Sequence, residues 1–207
     1  MNRYLAFFVA HAAHHVTGGR PAECLWMCHV SNVTLAAGLL LARPELVRIA
    51  VLWLLPGLPL WLGDLIQTGE SPPTTFLAHF GGAAVGLVAL RRTGMGRWSW
   101  ALALAWYLFW QEICRVATPP ELNVNIAHRL RPGWETLFDS YAGYWVGSTL
   151  LAAFVLWAEG AVLRRIWPAP EEPSAPSSIQ VRRPAARRRP SAHDSSAGES
   201  GGSGGAP

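Results

Sequence analysis

From its start to Trp167 the chain alternates apolar runs with short stretches that carry Gly, Pro or Arg. Six runs stand out: Tyr4 to Val16, Cys24 to Ala42, Leu46 to Ile66, Thr74 to Leu90, Trp98 to Ala117 and Tyr141 to Leu163. A helix needs about twenty residues to cross a bilayer's hydrocarbon core. Five of the runs have nearly that length. The first is short, and a signal peptide or an interfacial helix is its alternative reading. Three His within five residues and the lack of a small-residue cleavage site favour a short crossing. The pattern predicts an all-α fold, a polytopic integral membrane bundle of six transmembrane segments.

Breaks inside the runs refine this. Pro56-Gly57-Leu58-Pro59 sits mid-way along the third. Each Pro removes a backbone donor, which predicts a kink fitted to packing. The sharper alternative is a substrate or ion site at an interrupted helix. Gly82 and Gly86, four apart in the fourth run, predict close helix contact.

Composition separates two regions. The chain is 51% hydrophobic and only 14% charged, well below the roughly one-quarter charge of soluble domains. After Trp167 the aromatics vanish and Pro, Ser, Gly, Ala and Arg take over. Such a stretch cannot bury enough apolar area to order itself. The domains expected are therefore 1–167, transmembrane, and 168–207, a disordered cytoplasmic tail.

All seventeen basic residues are Arg, and the formal net charge is +4. The Arg residues set an orientation, because basic loops stay cytoplasmic. Arg43 and Arg48, then Arg91, Arg92 and Arg97, then Arg164 and Arg165 mark alternate ends of the runs. Both termini are then cytoplasmic, in a multi-pass protein of bacterial inner-membrane type. No basic stripe interleaved with aromatics suggests nucleic-acid binding. The partners expected are the lipid bilayer and a lipid-like substrate. Three Cys in an otherwise apolar chain give no secreted disulfide framework.

Under this orientation the reactive side chains collect on the non-cytoplasmic half. Polar groups at membrane depth are costly and tend to mark function. His29, His79, Asp64 and Cys28 are the catalytic candidates. His29 and His79 each fall five residues into an inward-running helix, at matched depth. His11, His14, His15, Cys24 and Glu112 are metal-ligand candidates, with pairs spaced by three or four on one helix face. Such ligands favour a transition metal such as zinc, copper or iron. A haem between His29 and His79 is an alternative, with Gly81, Gly82 and Gly86 leaving room for the macrocycle. Cys28 paired with His79 could instead attack an acyl carbonyl. Asn123, Asn125, His128, Arg129 and Arg131 form a loop that could grip an anionic headgroup. Glu112 and Arg115, three apart, predict an ion pair.

The function these residues suggest is a membrane-embedded hydrolase or transferase acting on a lipid-like substrate, possessing a metal in one version. A haem- or metal-binding subunit, a small transporter and a non-catalytic scaffold are the alternatives. The layout is loosely similar to small six-helix membrane proteins and to membrane lipid hydrolases with a His-rich site near one face. No motif carries over residue by residue.

Overall fold

In a computed structural model, residues 9, 12–69 and 73–170 are described, and these are helical apart from turns and one isolated bridge. Residues 12–17 form a short helical stretch. A 3-10 turn, Pro21–Leu25, leads into α1, Met27–Leu40. Helix α2 is Pro44–Thr68. Helix α3 runs through Pro73–Phe76, a π-helical turn Leu77–Gly81, and Gly82–Thr93. Helix α4 is Ser99–Ala117 and α5 is Tyr141–Ile166. Five of the six predicted runs reappear with small shifts, and the described end of the first is helical. Most of the first run, His11 included, lies outside the described residues, as does the expected disordered tail from residue 171 on.

Local chemistry fixes the ends. Pro44 occupies the first turn of α2, where a missing N–H costs nothing. Gly69, with φ 69°, closes that helix in the left-handed conformation. The Ser140 side chain accepts from the Gly143 N–H to cap α5. Helix α2 continues unbroken through Pro56 and Pro59, so the backbone is not interrupted there.

Helix α2 is the central element and packs against α1, α3, α4 and α5. In its first half Val47, Ile49, Ala50, Val51, Leu52 and Leu54 are buried on every side. A helix apolar all round belongs in a core, and these residues join Leu35, Leu90, Ala103 and Leu156 to form one. Gly86 makes the predicted close contact: a Cβ there would lie 2.9 Å from a Val51 methyl.

Three helices are long and apolar enough to cross a membrane: Pro44–Gln67, Thr74–Thr93 and Tyr141–Ile166. Helix α1 is apolar but short, fourteen residues, or about 21 Å at 1.5 Å per residue. Helix α4 has the length but carries Gln111, Glu112 and Arg115 in its last two turns. Only 17% of the apolar window of α5 is buried. Val146, Leu150, Phe154 and Trp157 form an exposed apolar stripe along it, a surface suited to lipid rather than water.

The end of the bundle opposite the His residues is clamped by Arg48. Its guanidinium donates to the Thr93 carbonyl at 2.8 Å and the Gly94 carbonyl at 2.7 Å. It also pairs with Glu45, whose other oxygen accepts from Ser99 at 3.2 Å. A cation is thus placed on the unsatisfied carbonyls that end α3. Beside it, the Met95 N–H donates to the Trp167 carbonyl at 2.7 Å, and Ala169 N–H donates back to Met95 at 3.3 Å. Pro168 and Ala169, tail residues by composition, are therefore paired with the α3–α4 turn.

Gly94 is the residue this pairing depends on. Its φ is 64°, and a Cβ would collide with the Pro168 carbonyl. Gly94→Val is expected to cost about 1–3 kcal/mol through backbone strain. Gly81→Ala, where a Cβ meets nothing within 4 Å, is expected to stay within about 0.5 kcal/mol of the parent. Thermal unfolding in mild detergent checks both. Equal melting temperatures for the two variants would contradict the clamp.

Candidate functional site

Three polar groupings occupy the other end of the bundle. The first is built on the turn before α1. The His15 Nδ1 lies 2.9 Å from a Glu23 carboxylate oxygen. Glu23 also pairs with Arg20 at 3.4 Å. The backbone carbonyl of the same Glu23 accepts from His29 Nδ1 at 2.8 Å. The His15 and His29 rings are 5.1 Å apart, and exposed His14 stands edge-on to His15 at 5.8 Å. Glu23 therefore holds two imidazoles together, one by its side chain and one by its backbone. It also lines an open cleft of about 640 Å³ with Arg20, Leu25, Pro119 and Leu122.

Cys24 is half-buried in this turn, and its Sγ faces the Ala12 carbonyl at 3.7 Å. A thiol so placed is a poor source of thiolate.

The second grouping joins α1 to the π turn. His79 is buried, its Nδ1 donates to the Thr75 carbonyl at 3.0 Å, and its ring stacks on Trp61 at 4.5 Å. Phe76 and Phe80 meet the edge or face of the same indole at 4.9 and 5.9 Å. A π turn displaces the regular hydrogen-bond ladder, and such turns are common at functional sites. Here the Ala78 carbonyl takes an extra donor, Asn32 Nδ2, at 3.2 Å. Asn32 also donates to the Cys28 carbonyl at 2.9 Å. This contact sets the register between α1 and α3. Asn32 stands level with Ala78, and His29, three residues earlier, lies about one turn nearer the end of the bundle.

The third grouping fastens the loop after α4. Asn125 is buried, with left-handed backbone (φ 52°). Its Oδ1 accepts from the Met27 N–H at 2.8 Å. Its Nδ2 donates to the Leu25 carbonyl at 2.8 Å and to Cys114 Sγ at 3.3 Å. Its own carbonyl accepts from Gln111 at 3.0 Å and Tyr107 at 3.1 Å. Gln111 is fully buried and accepts from Trp145 Nε1 at 2.6 Å. Arg115 reaches the Ala127 carbonyl at 2.9 Å and the Tyr141 hydroxyl at 3.1 Å.

The remaining predicted residues fall around these groupings. Asn123 Oδ1 accepts from the His128 and Arg129 backbone N–H groups at 3.0 and 3.1 Å. The Arg129 guanidinium donates to the Glu121 carbonyl at 2.9 Å, and His128 Nε2 lies 3.3 Å from Thr118 Oγ1. Arg131 and Asp64 face each other at 3.9 Å, both more than half exposed. Glu112 forms the expected pair with Arg115, at 2.6 Å. Cys28 lies on α1 between Met27 and His29 and is half-buried. Among the described residues no three His, Cys, Asp or Glu side chains come together as a metal group. Those residues alone do not fit zinc. The space beside Gly86 is filled by Val51, Leu35 and Leu54, so it offers no room to a haem.

Glu23, Arg20, Tyr107, Gln111, Tyr141 and Trp61 escaped the sequence reading as site residues. Tyr107, Gln111, Cys114 and Thr118 recur at helical spacing on one face of α4, which is a legible signal. The partnership of Glu23 with both His15 and His29 has none, since it depends on the fold of the turn.

No family model, curated protein or solved structure matches the chain.

Asn125 gives the grouping its test. Asn125→Ala leaves the Met27 N–H and Leu25 carbonyl without their side-chain partner, at about 1–3 kcal/mol for each buried orphan. The expected result is a lower melting temperature and faster proteolysis between Pro119 and Asp139. An unchanged melt and digestion pattern would contradict the role given to Asn125.

Proposed function

We propose that the chain is a membrane-embedded hydrolase or transferase that acts on a lipid-like substrate from the non-cytoplasmic face. It crosses the bilayer in six segments with both termini cytoplasmic. One observation carries the reading. Beside His15, whose Nδ1 lies 2.9 Å from the Glu23 carboxylate, two imidazoles at the same end of the bundle, those of His29 and His79, each donate from Nδ1 to a backbone carbonyl, that of Glu23 and that of Thr75. In the neutral ring that bond keeps the proton on Nδ1 and leaves Nε2 as the basic atom. Tautomer control of this kind is what general-base catalysis needs.

In the reaction proposed, an imidazole Nε2 takes a proton from water or an acceptor hydroxyl. The resulting oxygen attacks an acyl carbonyl. The imidazolium then returns its proton to the departing oxygen. The Glu23 carboxylate stabilises the imidazolium of His15 while it exists. Exposed Phe76, Leu77 and Phe80 beside the His79–Trp61 stack supply an apolar flank for acyl chains. The Arg131–Asp64 pair at the bundle end supplies charge at headgroup level. The cleft beside Glu23 and Arg20 gives the polar end of a substrate a way in.

A second reading, a non-catalytic scaffold, is favoured by a separate observation. Asn123, Asn125, Gln111 and Arg115 spend their polar groups largely inside the chain. In that reading the polar end only specifies packing.

The two readings separate in a turnover assay on protein purified in mild detergent and supplied with fluorescent glycerophospholipids. The enzyme reading predicts turnover that falls by about 10²-fold or more in Glu23→Gln, His15→Ala and His79→Ala, with helicity retained. Turnover that survives all three substitutions, together with those at His29 and Asp64, would overturn it. No turnover of any lipid class by the parent protein would favour the scaffold.

A further inference from the structure

The opposite end of the bundle bears its own charged surface. Arg43, Arg91, Arg92, Arg97, Arg164 and Arg165 are all exposed there. They come from three separate regions of the chain: the α1–α2 turn, the last turn of α3 with its connection to α4, and the last turn of α5. Two backbone bonds gather the second and third. The Met95 N–H on the Trp167 carbonyl and the Ala169 N–H on the Met95 carbonyl fix the α3–α4 turn against the end of α5. Arg48, reaching from α2 to the Thr93 and Gly94 carbonyls, brings in the first.

The exposed acid at this end is already spent. Glu45 faces Arg48 and Ser99. Among the described residues none of the six exposed guanidinium groups forms an ion pair. Glu171 and Glu172, next in sequence, lie outside those residues.

The apolar surface stops just below the arginines. Leu41 is exposed two residues before Arg43, Val88 three before Arg91, and Val162 two before Arg164. Trp98 is 62% exposed, with the Arg97 guanidinium 5.2 Å from its ring centroid. Exposed Trp beside a basic side chain suits the level where acyl chains meet headgroups. A guanidinium offers paired N–H donors that match two oxygens of a phosphate.

We infer that this basic collar is a binding surface for anionic phospholipid headgroups, held in one piece by the Met95–Trp167 bridge. It is independent of the catalytic reading, which concerns the other end of the bundle. Its ligand is the phosphodiester of a lipid with net negative charge, retained as an annular partner and not turned over. Each Arg near an anionic surface adds about fivefold in affinity, so a collar of several discriminates strongly between anionic and zwitterionic lipids.

The test uses the full chain in nanodiscs made from equimolar phosphatidylcholine and phosphatidylglycerol. The protein is then taken into mild detergent, and the lipids that stay with it are counted by mass spectrometry. The expected result is at least threefold enrichment of phosphatidylglycerol, taken as the low end of what a few such arginines supply. It should fall to the input ratio in R91Q/R92Q/R97Q/R164Q/R165Q. Enrichment in the parent should also shrink when 0.5 M NaCl is present during extraction, since exposed charges are screened. A parent that carries the two lipids equally would overturn the inference. So would enrichment that persists in the quintuple variant. If that variant does not fold, enrichment unchanged by salt would overturn it in its place.

Discussion

The hydrogen bonds of Asn125 hold one end of this molecule together. One side chain satisfies the first backbone donor of α1 and a backbone acceptor in the turn before it, and its residue's carbonyl receives Gln111 and Tyr107 from α4. A left-handed backbone is tolerable for Asn where it is strained for most residues, so residue type and conformation agree. The turn that Asn125 fastens, Pro21–Leu25, is the one that places Glu23 between His15 and His29. Remove the loop's grip and the imidazole arrangement loses its footing. In the proposed reading the residues of the loop support the chemistry more than they form its surface.

Fold and site were legible to different degrees, for physical reasons. The helices follow from runs of apolar residues ended by Pro, Gly and Arg, and those signals are local. Pro44 and Gly69 mark α2, and the Gly86 contact follows from spacing alone. The continuity of α2 through Pro56 and Pro59 does not, because a Pro ring can be accommodated where packing permits. Nor does the π turn at Leu77–Gly81, where the Ala78 carbonyl accepts from Asn32 on α1. The polar groupings are the least local. Candidates such as His15, His29 and His79 are visible as isolated reactive residues, but the groups they face are a carboxylate and two backbone carbonyls. Sequence identity says nothing about a carbonyl's direction. Asp64 and Arg131 were expected in separate roles, and they meet at 3.9 Å because the loop folds back over the end of α2.

The two ends of the bundle solve one problem in different ways. Helix termini leave carbonyls and N–H groups unsatisfied. At the Arg-rich end a single guanidinium, that of Arg48, covers two of them, and a short backbone pairing takes up the Trp167 and Met95 carbonyls. At the His-rich end side-chain amides and imidazoles do the work. Imidazoles held this way keep a basic nitrogen, which the guanidinium of Arg48 cannot offer. In the proposed reading this asymmetry puts chemistry at one end and lipid attachment at the other, with the apolar faces of α2, α3 and α5 between them.

That assignment requires the two ends to lie on opposite sides of a bilayer. Single Cys residues placed at Asp64 and at Arg97, in a chain whose three native Cys are replaced by Ala or Ser, report on this directly. Intact cells are treated with a membrane-impermeant maleimide before and after permeabilisation. The account predicts that the Cys at position 64 is labelled in intact cells and the Cys at position 97 only after permeabilisation. Labelling of both positions in intact cells, or of position 97 alone, would contradict it.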